Sequence, residues 1–342
     1  MNTKLAAVAV IAAVGFYGGE ARSQPSRCSS STIGVWAVLL DTSISDGLYA
    51  GTACGVFKTA DGARTWKAAG LAGKGVSVLA VDDANPRRML AATMKWGVFR
   101  TVDGGRTWNR AGLRGKHVLS LAFDPARSAA MYAGVSVGIF KSTTDGKTWR
   151  RVGEALPRDY TKVLTDPDNP NTVYAAIGSR SRDRVFVSLN GGRTWRRSGP
   201  GLPSTYIGSL ELNPNQPGAV FAGTHEGLFK SVDSGASWQV VNTDFMVGER
   251  RADALAFAYG RRRPGAIFAQ TYCAGVFKST DGGRSWTRAS DGIAPGCRPP
   301  FRIVVNQRNP KILYALTPGE GLHRSADGAR HWQLTAQPPG SR

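Results

Sequence analysis

The segment Ser279-Thr-Asp-Gly-Gly-Arg-Ser-Trp286 is one of seven copies of a single phrase along the chain, and this repetition decides the fold. The other copies are Thr59–Trp66, Thr101–Trp108, Ser142–Trp149, Ser188–Trp195, Ser231–Trp238 and Ser325–Trp332. Their tryptophans lie 42, 41, 46, 43, 48 and 46 residues apart. A repeat of this length with four strand-like segments is typical of a propeller blade. The sequence therefore predicts an all-β protein, a seven-bladed β-propeller with this hairpin loop in each blade.

One repeat shows how a blade is built. In residues 76–113, the apolar run Val76–Val81 predicts a buried inner strand, and the polar segment Asp82–Arg87 predicts a turn. Met89–Thr93 and Gly97–Thr101 predict the second and third strands. The repeated phrase follows as a hairpin loop in which the acidic residue accepts backbone N–H groups and the glycines supply positive φ. We expect the tryptophan to open the fourth strand and to fill the gap between sheets, so the phrase is mainly a folding device.

The acidic position of the phrase varies in two copies. It is occupied by Asp61, Asp103, Asn190, Asp233, Asp281 and Asp327 in six of the seven repeats. In the third copy Thr144 takes this position and Asp145 follows it. Asparagine still accepts a hydrogen bond, whereas the displaced aspartate leads us to expect a reshaped third loop.

The phrase, preceded by a G-[VIL]-F-K-S pattern, resembles the Asp-box or BNR repeat. That repeat occurs in sialidases, xyloglucan hydrolases, sortilin-type receptors and photosystem II assembly-factor propellers. The segment 166–175, DPDNPNTVYA, is most similar to the assembly factors and the xyloglucan hydrolases. The resemblance covers residues 33 to 335 and implies the propeller fold. It leaves the activity open between a binding or assembly scaffold and a glycan hydrolase, because propellers host unrelated functions.

The chain divides into four predicted segments. Residues 1–21 have a basic start, an apolar stretch and a small-residue end, which predicts a secretory signal peptide cleaved after Ala21. Residues 22–32 are a lead-in, residues 33–336 the propeller and residues 337–342 a disordered tail. The apolar stretch is shorter than the ~20 residues of a membrane span. We therefore expect a protein that is exported to the periplasm or the medium and has no membrane span. Export argues against a nucleic acid as partner, and we expect the protein to be a monomer.

Four cysteines, Cys28, Cys54, Cys273 and Cys297, are present. In an exported protein they indicate two disulfides. Propeller topology places all four at the face formed by the loops between second and third strands and the connections between blades, here called the loop face. We favour Cys28–Cys54 and Cys273–Cys297. A Cys28–Cys297 bond that closes the ring, or free thiols, are the alternatives.

The formal net charge of +20 indicates an anionic partner. Basic residues that recur in six of the seven repeats, in the third strand and two positions before the tryptophan, are interpreted as scaffold. Those on outer strands are interpreted as protection of a sheet edge. Apart from the run Arg261–Arg263, which is placed on the face of the Asp-box loops, a set of further basic and aromatic residues falls on the opposite, loop face. They are Lys95, Trp96, Arg114, Lys116, His117, Arg158, Tyr160, Arg180, Arg182, Arg184, Tyr206, Arg250, Arg251, Tyr272 and Arg298. Such a set suits an acidic protein segment or an anionic envelope polymer or glycan, although a merely solvated basic face is the alternative.

Catalytic signals are weak in this sequence. It lacks the HExxH motif and a phosphate-binding loop, and nothing in it indicates a cofactor or a metal site. If the chain were a glycan hydrolase, Asp159, Glu226 and Asp253 on the loop face are the candidate carboxylates. Such a pair must lie roughly 5 to 9.5 Å apart, which the sequence cannot specify. The leading hypothesis is a non-enzymatic binding or assembly scaffold, with the hydrolase as the alternative.

Overall fold

The computed structural model describes residues 34–82, 84–125, 127, 129–159, 161–178, 184–213, 216–242, 246–247, 250–251, 254–259, 265–271, 275–293, 302–317 and 320–338. These residues form seven four-stranded antiparallel sheets, numbered here as blades one to seven in chain order, and one two-stranded ribbon. They contain no helix that is long and apolar enough to cross a membrane. The predicted seven-bladed β-propeller is confirmed.

The strands follow one another within each blade from the innermost to the outermost. Blade one contains β1 (Val35–Asp41), β2 (Gly47–Thr52), β3 (Gly55–Thr59) and β4 (Lys67–Ala68). Blade two contains β5 (Val76–Asp82), β6 (Asn85–Thr93), β7 (Gly97–Thr101) and β8 (Asn109–Arg110). Blade three contains β9 (Val118–Phe123), β10 (Met131–Val135), β11 (Gly138–Ser142) and β12 (Arg150–Val152). Blade four contains β13 (Thr161–Thr165), β14 (Val173–Ile177), β15 (Arg184–Ser188) and β16 (Arg196–Arg197).

The remaining blades have the same order. Blade five contains β17 (Ile207–Leu212), β18 (Val220–Thr224), β19 (Gly227–Ser231) and β20 (Gln239–Asn242). The ribbon of β21 (Met246–Val247) and β22 (Arg250–Arg251) follows it. Blade six contains β23 (Ala254–Tyr259), β24 (Ile267–Thr271), β25 (Gly275–Ser279) and β26 (Thr287–Arg288). Blade seven contains β27 (Arg302–Val305), β28 (Leu313–Thr317), β29 (Gly321–Ser325) and β30 (Gln333–Leu334).

Two predicted boundaries differ from those observed. Each fourth strand begins one residue after the tryptophan and not at it, because the indole packs between sheets while the backbone is still leaving the hairpin. In blade two, β6 starts at Asn85, so the predicted turn of residues 82–87 shortens to the residues between β5 and β6. Asp82 and Asn85 pair across it, which extends the ladder beyond the apolar run.

The core consists of apolar layers between adjacent blades. Seven clusters of buried side chains each join two neighbouring blades, including one between blades seven and one. The middle strands are buried on both faces; every residue of β10, β14, β18 and β28 is buried. These strands therefore read as unbroken apolar runs, because each face contacts another sheet.

Blades one and seven close the ring, and each is built from four consecutive strands of the chain. In the seam, Val38 and Leu48 of blade one pack with Tyr314 and Leu316 of blade seven. The indole Nε1 of Trp66 donates a hydrogen bond to the carbonyl of Ala336 at 2.8 Å. Gln337, which belongs to the predicted tail, also contacts blade seven, where its Oε1 accepts from the backbone N–H of Leu322 at 3.0 Å.

The first residue of every Asp-box loop is a buried hydroxyl that organises the turn. Its oxygen accepts a hydrogen bond from the backbone N–H of the residue four positions later. Thr101 accepts from Gly105 at 3.0 Å, and Ser231 accepts from Gly235 at 2.8 Å. The same bond occurs in all seven copies. The aspartate carboxylate accepts further hydrogen bonds from the end of the loop. In the second copy, the bonds from the backbone N–H and the hydroxyl of Thr107 hold the pKa of Asp103 well below its usual range. The phrase thus supplies the side-chain hydrogen bonds of its own turn.

The third loop is not reshaped, contrary to expectation. The hydroxyl oxygen of Thr144 accepts the Thr148 N–H at 2.9 Å, in the place of a carboxylate oxygen. Asp145 adopts φ of 58°, in the same left-handed region as the glycine that occupies its position in other copies, such as Gly104 at 76°. Its carboxylate pairs with Arg88 and Arg100 of blade two. The displaced aspartate therefore links two blades.

Several recurring third-strand basic residues link adjacent blades, which supports their interpretation as scaffold. The Tyr132 hydroxyl and the Lys141 ammonium of blade three donate to the carbonyl of Gly191 in the Asp-box loop of blade four, at 3.0 and 2.9 Å. Lys278 contacts Gly328 in the same way at 3.1 Å. These positive charges cap loops at the Asp-box face and are not available on the loop face.

Replacing Thr101 by valine is expected to lower the free energy of unfolding by about 1–3 kcal/mol. Valine matches the shape of threonine but leaves the buried N–H of Gly105 without its acceptor. Urea unfolding measures the change. The control Val102→Thr alters the next residue, whose side chain is 49% exposed, and is expected to stay within about 0.5 kcal/mol. Equal stabilities of the two variants would contradict the role assigned to the hydroxyl.

Candidate functional site: the loop face

On the loop face, backbone hydrogen bonds join several of the described hairpin loops and third strands to a blade connection. Met94 donates to the carbonyl of Gly75 at 3.0 Å, and Ser136 donates to that of His117 at 3.1 Å. Val98 likewise donates to the carbonyl of Gly112 at 2.9 Å. Side chains of the hairpin loops are thereby brought beside side chains of the connections, although the two are separated in sequence.

One group on this face, the Trp96 cluster, consists of Trp96, Arg110 and Arg114. The guanidinium carbons of Arg110 and Arg114 lie 5.9 and 5.6 Å from the centroid of the half-buried Trp96 ring. Both arginines and the adjacent Lys95 are exposed. Stacking orients a guanidinium while its N–H groups stay free for a carboxylate or phosphate. The arrangement therefore presents preoriented positive charge at an apolar platform.

A second group, the Tyr206 cluster, joins blades four and five. The rings of Tyr206 and His225 lie 4.8 Å apart at an interplanar angle of 39°. The ammonium of Lys162 lies 5.5 Å from the Tyr206 centroid and donates to the carbonyls of Ile207 and Gly208 at 3.0 and 2.8 Å. Tyr206 is thus positioned by the inner strand of the neighbouring blade.

The other predicted binding residues are distributed around these two clusters. The Lys116 ammonium lies 5.4 Å from the Phe140 ring, and burial lowers the pKa of the half-buried His117. Arg158 and Arg184 are exposed. Arg250 and Arg251 form β22, and only their backbone is described. Tyr160, Arg180, Arg182, Tyr272 and Arg298 lie outside the described residues.

The two described candidate carboxylates lie in separate loops. Asp159 is half-buried just before β13, and the exposed Glu226 lies between β18 and β19 of the next blade. Asp253 lies outside the described residues. Within the described ranges, no group of three or more His, Cys, Asp or Glu side chains is arranged to hold a metal ion.

Cys54 lies between β2 and β3 on the loop face, as expected, and is disulfide-bonded. Cys28, Cys273 and Cys297 lie outside the described residues. The pairing of Cys28 with Cys54 and of Cys273 with Cys297 therefore stays a prediction.

Three features of the structure were not predicted from the sequence. Arg110 was interpreted as an outer-strand charge, yet its side chain lies over Trp96. Glu211 and Arg302, on inner strands of blades five and seven, are both almost fully buried. A groove of about 510 Å³ lies on the opposite face, between the Asp-box loops of blades one and two, and Lys58, Lys67 and Arg106 line it.

Comparison with known proteins gives structural similarity alone. No protein-family model and no curated protein matches the sequence. An ancestral GH74 enzyme is 20% identical, with a TM-score of 0.60, over 73% of this chain and 36% of that enzyme. YCF48 bound to D1 peptide is 14% identical, with a TM-score of 0.56, over 75% of this chain and 79% of that chain.

A third similar structure is the β-propeller domain of Cps50 (Swd1) from Myceliophteria thermophila. It is 12% identical, with a TM-score of 0.62, over 86% of this chain and 98% of that domain. The chain thus spans about a third of the GH74 enzyme and nearly all of the Cps50 domain. YCF48 and a GH74 enzyme are thus both among the structures similar to this one in fold. The chain is a seven-bladed β-propeller similar to those proteins in fold.

Proposed function

We propose that this propeller is a non-enzymatic binding or assembly module whose loop face binds an acidic segment of a partner protein. The observation that carries the proposal is the Trp96 cluster, in which two exposed arginines stack on one half-buried indole. An acidic segment offers carboxylates to the guanidinium forks and apolar groups to the indole. The peptide held by the similar propeller YCF48 supports a peptide as the class of ligand.

The distribution of charge supports the same face. Many recurring basic residues of the blades are engaged with the next blade, as Lys141 and Lys278 are. Lys95, Arg114, Arg158 and Arg184 instead have exposed side chains on the loop face. A cluster of exposed positive charge attracts an acidic partner and increases the rate of association.

The decisive test compares two triple variants that remove equal charge from opposite faces. Lys95, Arg114 and Arg158 are replaced by serine in the first, and Arg64, Arg106 and Arg193 of the Asp-box loops in the second. Both sets are exposed, so both variants are expected to fold. With labelled poly-glutamate as the probe, the loop-face variant is expected to bind about tenfold more weakly than the native chain, since each exposed pair contributes about 0.2–1 kcal/mol. The control is expected to retain most of the affinity. Equal losses in the two variants would show only a response to net charge.

Salt separates an electrostatic site from an apolar one. Raising ionic strength from about 0.01 M to about 0.15 M shortens the Debye length from ~30 Å to ~8 Å. We expect the affinity for poly-glutamate to fall steeply over this range in the native chain and weakly in the loop-face variant. Isothermal titration measures this affinity at each ionic strength. An affinity that does not change with salt would contradict the charged footprint.

The proposal includes export. It rests on the basic, apolar and small-residue pattern of residues 1–21, and the partner is therefore sought in the cell envelope. Amino-terminal sequencing of the protein released by a bacterial host is expected to begin at Arg22. A cell-associated product that still begins at Met1 would contradict cleavage.

A further inference from the structure

A group of polar side chains lies on the inner strands around the propeller axis. Glu211 of β17 and Arg302 of β27 are 4% and 5% exposed, although they carry ionisable groups. Ser209 shares a strand face with Glu211, because residues two apart on a strand point the same way. Lys162 of β13 completes the group, which we call the inner-strand cluster. The stacked loop-face arginines do not belong to it.

Arg302 is the key member of this cluster. Its Nε, Nη1 and Nη2 atoms are buried, and none has a hydrogen-bond acceptor among the described residues. The hydroxyl of Ser209 is likewise buried without a partner there. Burying a guanidinium with all its donors unused is costly, so such a group in a native protein normally meets an oxygen ligand or a counter-ion. Arg302 therefore provides a fork of donors in a buried site.

Glu211 does not supply the missing partner. Glu211 and Arg302 are both described, and they form no ion pair. Each nitrogen of Arg302 is therefore more than 4.0 Å from the Glu211 oxygens. Burial raises the pKa of Glu211 to about 8 despite the opposing charges of Arg302 and Lys162. Burial also lowers the pKa of Arg302 to about 10, which still leaves it charged at neutral pH. The cluster is thus net positive at neutral pH, with Lys162 already fixed by two carbonyls.

We propose that the inner-strand cluster is a binding site for a small carboxylate anion, whose paired oxygens accept hydrogen bonds from Arg302. The flat fork of a guanidinium matches the two oxygens of a carboxylate. Arg302 is the first residue of β27, at the loop-face end of that strand. Exposed positive charges on that face, such as Lys95 and Arg114, would raise the local anion concentration near that end. This site is independent of the proposed protein-binding function.

Acetate is the probe for the test. Thermal unfolding is followed as acetate replaces chloride at constant ionic strength, and isothermal titration gives the affinity. The native chain is expected to show a saturable rise in Tm, because a ligand that binds only the folded state stabilises it. Arg302→Gln is expected to lose the rise. Arg308→Gln removes an exposed arginine from the opposite end of the same blade and is expected to keep it.

Two further variants keep the test decisive if Arg302→Gln fails to fold. Arg302→Lys retains the charge without the fork and is expected to bind acetate at least about tenfold more weakly. Glu211→Gln removes the competing acid and is expected to bind acetate as tightly as the native chain or more tightly. No saturable response in the native chain, or an unchanged response in Arg302→Lys, would overturn the proposal. A response to inorganic phosphate without one to acetate would overturn the carboxylate assignment.

Discussion

Replacing Trp332 by alanine is expected to lower the free energy of unfolding by about 3–5 kcal/mol, the range for buried tryptophans. Trp332 is 3% exposed and packs in the apolar layer between blades six and seven. Its indole Nε1 also donates to the carbonyl of Ala289 in blade six at 2.8 Å. Truncation therefore removes both a large apolar contact and the partner of a backbone carbonyl.

Far-UV circular dichroism during urea unfolding measures the effect without depending on tryptophan fluorescence. Leu334→Ala is the control, because this side chain is 57% exposed on the outermost strand of the same blade. It is expected to change stability by no more than about 0.5 kcal/mol. A loss below about 1 kcal/mol for Trp332→Ala would mean that the tryptophans of the repeats do not hold the blades together.

Replacing Gly134 by alanine is expected to cost about 3 kcal/mol or more, which is the upper end for added volume in a packed core. Gly134 lies in β10, and a Cβ atom there would lie 2.1 Å from the carbonyl oxygen of Thr161 and 2.5 Å from Ser120 Oγ. Both atoms belong to inner strands, and Ser120 Oγ accepts the Val163 N–H at 2.8 Å. The added methyl would force blades three and four apart.

The control for Gly134 is Gly73→Ala. Gly73 has φ of 69° but no heavy atom within 4 Å of its added Cβ, so only backbone strain of about 1 kcal/mol is expected. The difference between the two variants in urea unfolding isolates the steric clash. Equal losses would show that the spacing between blades three and four yields to an added methyl group.

The fold could be predicted because its determinants are local and repeated. Each hairpin carries its own hydroxyl, side-chain acceptor and tryptophan, and the spacing of the copies gives the number of blades. The third loop was misjudged for an equally local reason. The hydroxyl of Thr144 accepts the same N–H as a carboxylate, which frees Asp145 to pair with arginines of another blade.

The candidate site was only partly predictable. Topology correctly placed Trp96 and Arg114 on one face, because both loops end at the same edge of the blade. Tertiary packing sets the direction of the Arg110 side chain. Its position on an outer strand therefore gave no sign in the sequence that it lies over Trp96. Glu211 and Arg302 belong to different blades, and their approach near the axis depends on the closed ring.

The most direct test of the account is a footprint of the bound acidic ligand on the native chain. Backbone hydrogen exchange is measured with and without poly-glutamate at low ionic strength, and the fragments of the two faces are compared. We predict slower exchange in the loops around Trp96, Arg114 and Tyr206, and unchanged exchange in the Asp-box loops at Asp61, Asp103 and Asp233. Protection confined to the Asp-box loops, or spread evenly over both faces, would contradict the claim that the loop face is the binding surface.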